Sequence, residues 1–315
     1  MRAILAAIAL ATAVHADETA TTETPWIDRI LRAHEALEWS DVVVRHDWRL
    51  QHRPEDDRCR ILDPGDHSIR EGTPDDCRRE FAAMEAAGTI PSIAGPTVIV
   101  LHGLGESRDS MKPLAAHLRR TLEATVMLVG YASTAADLEA HGRSLDLVIR
   151  SLPSDAPISF VGHSLGNLVV RRWMSLAAGE TLARVDRMVM LGPPNQGSAL
   201  ARQIGGVAFL SALAHGAARD LVVDWDRVEP HLAQPACPFG IVAGGRGDDN
   251  GFSSMLEGDD DAVVRVEETH LAGAGDFLLV PVHHAGMLRD QRVQRATESF
   301  LKTGQFGSTT PEAAP

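Results

Sequence analysis

From Pro96 onward the chain is a succession of short apolar runs separated by amphipathic stretches, and this texture constrains the fold more than any other feature. TVIVLHG (97–103), MKPLAAHLRRTL (111–122), TVMLVGY (125–131), DLEAHGRSLDLVIRSL (137–152) and ISFVGHS (158–164) follow one another in that order. The first, third and fifth are dense in Val, Ile and Leu with no polar alternation, as strands buried on both faces must be. The intervening segments repeat their apolar residues at helical spacing. Strand, helix, strand, helix, strand predicts an α/β architecture, a mostly parallel central sheet with helices on both faces. Further strands are predicted in RMVMLG (187–192), FGIVAG (239–244) and DFLLVPV (276–282), with a closing helix near Gln291 to Lys302. These bound a core of residues 96–306, followed by a disordered tail over 307–315.

Charge and composition narrow the class of partner. Asp and Glu number 43 against 30 Lys and Arg, a formal net charge of −13, which repels phosphate backbones, so nucleic acid is not an expected partner. Aromatic residues make up 4% of the chain with one Tyr, too few to suggest a stacking platform for single strands. Residues 1–16, MRAILAAIALATAVHA, combine one basic residue, an apolar run and small residues before Asp17, the pattern of a secretory signal peptide cleaved after Ala16. The run is too short to span a bilayer and no later segment is long enough, so no stable membrane span is expected and the mature chain is expected to be secreted or periplasmic. An oxidising compartment favours a Cys59–Cys77 disulfide in the Pro- and Asp-rich stretch, leaving Cys237 over; closing that loop would contribute about 3 kcal/mol. No CxxC or HExxH occurs, so no zinc site is expected.

Residues 17–95 form an N-terminal elaboration, helical and β. DETATTET (17–24) is polar, and Pro25 opens a predicted helix to about Trp39 with Ile27, Ile30, Leu31 and Leu37 on one side. Asp41 to Arg53 alternates as a strand, and Gln51 to Gly72 reads as a charged loop. Thr73-Pro74-Asp75-Asp76 carries an N-cap, a proline at the first position and an acidic first turn for a helix through Met84 to Ala87, which Gly88 ends.

The chemistry lies in Gly162-His163-Ser164-Leu165-Gly166. This GxSxG follows the apolar run Ile158–Val161 and precedes LGNLVVRRWMSLA, whose Leu165, Leu168, Val169, Trp173 and Leu176 recur at helical spacing. A strand turning sharply into a helix at Ser164 needs glycines on both sides and presents the hydroxyl at a helix N-terminus, where free N–H groups favour negative charge. A serine needs a base, and the base an acid that fixes its tautomer. His284, in LVPVHHAGML, follows a strand and precedes the last helix, on a loop that a doubly wound sheet places at its carboxyl edge; His283 is its rival. Of Asp259, Asp260 and Asp261, the last abuts Ala262-Val263-Val264 and is the one expected to point inward. A different use of these carboxylates with Asp248, Asp249 and Asn250 would be a calcium site. His102-Gly103-Leu104-Gly105 ends the first strand, and the backbone N–H groups of Leu104 and Leu165 are the expected oxyanion donors.

Taken together, VLHGLG (100–105), FVGHSLGNLVVRRW (160–173), MLGPPNQGS (190–198), DAVV (261–264), VPVHHAGML (280–288) and the order Ser, Asp, His resemble the α/β-hydrolase superfamily, and within it the small bacterial lipase and esterase-like serine hydrolases. The resemblance covers residues 96–306. Members often carry GHSLGG and DG-[TV]-V where this chain has Asn167 and Ala262, departures that touch helix packing and the acid loop. In similar hydrolases the position of the insertion at about 199–238 contributes a cap or an acyl-binding wall; its apolar faces are equally those of ordinary helix packing. The resemblance implies hydrolysis of a small-molecule carboxylic ester or lipid through an acyl-enzyme on Ser164, with Asp261 and His284 and no cofactor. The same triad could serve an acyltransferase, amidase or thioesterase, and a binding protein on this fold would keep the residues without the chemistry. The oligomeric state is not legible in the sequence.

Overall fold

In a computed structural model, residues 38–204, 217, 220 and 225–307 are described. The signal segment, residues 17–24, nearly all of the predicted 25–39 helix, much of the 199–238 insertion and residues 308–315 lie outside the described residues.

The charged stretch before the core is a sheet. Strands β1 (Ser40–Arg45), β2 (Trp48–Arg53), β3 (Arg58–Leu62) and β4 (Ser68–Gly72) pair antiparallel in sequential order. The expected single strand over 41–53 is therefore a hairpin, and the expected loop over 51–72 is the end of β2 plus two further strands. Helix α1 (Pro74–Ala86) covers the sheet, with Thr73 Oγ accepting the Asp76 N–H at 3.3 Å as the sequence predicts. Leu50, Cys59, Ile61, Cys77, Phe81 and Ile90 make a small core between them.

Both cysteines in that core are free thiols, so the expected disulfide is absent; the Cys77 S–H donates instead to the Cys59 carbonyl at 3.4 Å. The stretch is anchored by strand pairing and Phe81 burial, and needs no covalent staple to hold its backbone. Cys237 is free as well.

The core is a six-stranded parallel sheet of β5 (Thr97–Leu101), β6 (Thr125–Val129), β7 (Ile158–His163), β8 (Val185–Leu191), β9 (Phe239–Gly244) and β10 (Asp276–Val280), in the order β10-β9-β8-β7-β5-β6. Strands β5, β7 and β9 are buried at every residue, which is why their sequences lack polar alternation. Within β5, Ile99 and Leu101 face a core shared with α3 (Leu138–Arg150) and α4 (Leu165–Leu176), while Val98 and Val100 face one shared with α2 (Lys112–Thr121) and α5 (Gln291–Thr303). Helices thus cover both faces. Phe306 is buried against Phe300, and its N–H donates to Asp276 at 2.8 Å.

Two features of the topology position the site. The chain leaves β5 for β6 on one side and returns to β7 on the other, opening a crevice at the carboxyl ends of β5 and β7. The N-terminal sheet braces its rim: the Asp41 N–H donates to the Gly130 carbonyl at 2.9 Å, the buried Asp41 carboxylate accepts the Gly130 N–H at 2.6 Å, and Ser40 Oγ accepts the Ala132 N–H at 3.1 Å.

Candidate active site

Ser164 stands between β7 and α4 with φ 52° and ψ −123°, a left-handed conformation that a non-glycine residue adopts at a cost of about 1–3 kcal/mol. Surrounding contacts hold it there. A Cβ on Gly166 would come within 2.7 Å of both the Leu101 and His102 carbonyl oxygens, and one on Gly162 within 2.8 Å of the Asn167 backbone nitrogen. Only glycine at both positions lets the turn close against the end of β5. Asn167 does more than pack: its amide donates to the Ser164 carbonyl at 3.0 Å and the Leu191 carbonyl at 3.3 Å, tying the turn to β8.

Leu104 and Leu165, whose N–H groups are the expected oxyanion donors, adjoin Gly103 and Ser164 in the chain. Gly103 approaches so closely that a Cβ there would lie 3.0 Å from Ser164 Cβ. The Gly103 carbonyl accepts from His102 Nδ1 at 2.9 Å and from the Glu106 N–H at 3.3 Å. His102 takes this tautomer because its Nε2 accepts the Tyr131 N–H at 3.3 Å, and burial pulls its pKa down, keeping the ring neutral. With the carbonyl pinned, the trans peptide aims the Leu104 N–H the opposite way. Neither Leu104 nor Leu165, the first residue of α4, has its N–H bonded among the described residues.

Asp261 and His284 meet. His284 Nδ1 lies 2.6 Å from Asp261 Oδ2, and the His284 N–H donates to the Asp261 carbonyl at 2.8 Å. The other carboxylate oxygen accepts the N–H groups of Val263 at 3.0 Å and Val264 at 2.7 Å, so the acid is fixed by its own turn. That turn requires φ 82° at Ala262, the reason a glycine suits this position. Burial pulls the His284 pKa down, but the Asp261 charge and hydrogen bond outweigh it, leaving it above the ordinary histidine value.

The neighbouring candidates have other employment. His283 is exposed and packs its ring on Phe252 at 3.9 Å. Asp260 is as buried as Asp261, although only Asp261 is expected to point inward, and it accepts the N–H groups of Ser253 and Ala262; Asp259 accepts those of Arg246 and Gly247, and Asp248 those of Asn250 and Gly251. These carboxylates satisfy loop backbone, and among the described residues no group of three ligating side chains converges as a calcium site would need.

The structure brings Ser164 beside His284 without joining them. The His284 ring lies 4.6 Å from the ring of His163, and Gly192, whose Cβ would fall 3.0 Å from it, follows Leu191, whose carbonyl accepts the Ser164 N–H at 2.9 Å. The Ser164 hydroxyl and His284 Nε2 make no hydrogen bond among the described residues. Sequence reasoning overlooked the buried His163 and the half-buried Glu106: Glu106 accepts from Gly103 N–H at 3.0 Å and Ser110 Oγ at 2.9 Å, and lies 3.2 Å from His163 Nδ1. Nothing in the spacing of residues 57 positions apart in sequence signals that contact.

The fold has relatives among solved structures. The mature form of the lipase BlEst2 of Bacillus licheniformis superposes with a TM-score of 0.50 at 17% identity, over 68% of this chain and 94% of that one. The phospholipase PlaB of Legionella pneumophila does so with a TM-score of 0.52 at 19% identity, over 67% of this chain and 56% of that one, so the match spans little more than half of PlaB. The fold is that of the α/β-hydrolases. Residues 96–195, from β5 through the Ser164 turn to β8, match the family described as "Putative serine esterase (DUF676)", which supports ester hydrolysis. No curated protein matches it by sequence.

Proposed function

We propose that the chain is an exported serine hydrolase that cleaves carboxylic esters of small molecules or lipids through an acyl-enzyme on Ser164. The observation that carries the reading is the 2.6 Å contact of Asp261 with His284 beside a serine held in a left-handed turn. In the reaction, Ser164 Oγ attacks the ester carbonyl as its proton passes to His284 Nε2, and the carbonyl electrons move onto oxygen. The Leu104 and Leu165 N–H groups receive that charge, and Asp261 stabilises the imidazolium through Nδ1. Collapse expels the alkoxide, which takes the proton from Nε2. Water, deprotonated by the same nitrogen, then releases the acid and restores Ser164. The protein's own groups suffice for each proton transfer, and the reading invokes no cofactor.

Hydrolysis of short- and long-chain nitrophenyl esters by the protein and by Ser164→Ala tests this. Activity that disappears in the variant supports it, and equal rates in both defeat it. The export reading rests on residues 1–16; sequencing the N-terminus of protein recovered outside the cytoplasm should return Asp17, and an intact Met1 on that protein would contradict it. Among the described residues no helix is long and apolar enough to cross a membrane.

A further inference from the structure

We propose that His163 and Glu106 form a positioning couple that locks the oxyanion loop, the nucleophile turn and the His284 loop into one register. The inference rests on the hydrolase reading of Ser164, Asp261 and His284. His163 is fully buried, and its two ring nitrogens point at two different loops: Nδ1 at Glu106 Oε2, 3.2 Å away, and Nε2 at the His284 backbone carbonyl, also at 3.2 Å. A backbone carbonyl can only accept, and Glu106 Oε2 already accepts the Gly103 N–H and the Ser110 hydroxyl, so both ring nitrogens face acceptors. The ring therefore satisfies both contacts only as the doubly protonated imidazolium.

The consequences reach each catalytic group. Glu106 Oε2 also accepts the Gly103 N–H, the peptide before the Leu104 donor, and the Ser110 hydroxyl, so one carboxylate oxygen ties the oxyanion loop to His163. His163 precedes Ser164 in sequence and holds the carbonyl of the residue whose side chain is the base. Charge matters as well as geometry. Facing His284 are Asp261 from the acid loop, Glu106 from the loop after β5 and His163 from the end of β7; on its own turn, His283 and Arg289 are exposed. The Glu106 charge raises the His284 pKa, and a positive charge on the His163 ring, 4.6 Å from the His284 ring, opposes it.

The test is the second-order rate of Ser164 phosphonylation by a fluorophosphonate probe against pH, in the full chain and in His163→Gln and His163→Gln/Glu106→Gln. In His163→Gln the Glu106 anion is left uncompensated, the protonated base is favoured, and the acidic limb moves up by about 0.5–1 pH unit. The double variant removes both charges and returns the limb to the wild-type position, while the plateau rate stays about 10–100-fold low because the loops are untied. An unmoved limb in His163→Gln, or no return in the double variant, overturns the proposal. A merely structural role would lower the plateau and leave the limb in place. Should the variants not fold, the wild-type protein labelled with 15N-histidine decides: one buried ring donates from both nitrogens at the assay pH, and finding a bare nitrogen on every ring there refutes the couple. A wild-type protein that takes no label at Ser164 at any pH defeats the hydrolase reading instead, and the 15N measurement still reads the pair.

Discussion

Replacing Asp261 by Asn separates the acid's two duties. One carboxylate oxygen accepts the Val263 and Val264 N–H groups, and the other faces His284 Nδ1 at 2.6 Å. An amide has a single acceptor. If its oxygen stays with the two N–H groups, which are otherwise left buried without partners, its NH2 must turn to His284. Nδ1 then becomes an acceptor, and the proton is forced onto Nε2, where it blocks transfer from Ser164. The loop survives and the base is disabled. Loss of the correct tautomer in such triads costs about 10⁴ in kcat, or about 5 kcal/mol of transition-state stabilisation. The assay is ester hydrolysis at a pH above the acidic limb, with the melting temperature measured alongside. Asp261→Asn should lose the rate and keep its melting temperature within a few degrees. Asp261→Ala should lose both, since two orphaned N–H groups cost about 1–3 kcal/mol each. An Asp261→Asn protein within tenfold of the wild-type kcat would refute the assignment of the acid.

The raised His284 pKa sets a pH dependence: the base works only when neutral, so kcat/KM should fall as pH drops through a value above the ordinary 6.5, and a midpoint below 6.5 would contradict the Asp261 contact. His283→Ala should keep kcat within about threefold, because its ring lies on Phe252; a collapse of activity would transfer the role to it. Ala262→Gly should raise stability by about 1 kcal/mol or slightly less, since it relieves the φ of 82° at some cost in chain entropy; unfolding in urea reads this, and destabilisation would argue against the turn. Cys59 is buried with its thiol pushed up to about 11 by that burial, so alkylation of the native protein should be slow until denaturant is added, and rapid native labelling of Cys59 and Cys77 would contradict the small core.

What could be read in the sequence follows from where polar residues were free to appear. Strands β5, β7 and β9 are buried on both faces, so their composition alone declared them, and β9 falls at the residues predicted. The N-terminal sheet hid because its strands place arginines on a solvated face: Arg53 and Arg60 stack over Trp39 at 4.6 and 4.4 Å, and Arg58 pairs with Glu71 at 3.0 Å. Its turns hid too. They place His46, Asp57 and Asp66 at positive φ where glycine or asparagine would have announced a reversal. At the site, Gly162 and Gly166 were legible because backbone crowding excludes any side chain; inward pointing does not single out Asp261, since Asp260 is equally buried, and the contact with His284 is what separates them. Glu106 and His163 were not, since no periodicity links a loop glutamate to the residue before the nucleophile.

The central claim is that Ser164, His284 and the two backbone donors converge on one reacting atom. A crystal structure of the protein phosphonylated by a fluorophosphonate measures this directly. The account predicts phosphorus on Ser164 Oγ, the phosphoryl oxygen about 2.7–3.1 Å from the N–H groups of Leu104 and Leu165, and His284 Nε2 turned toward Oγ. An adduct on another residue, or an imidazole turned away from Oγ with the phosphoryl oxygen in solvent, would contradict it.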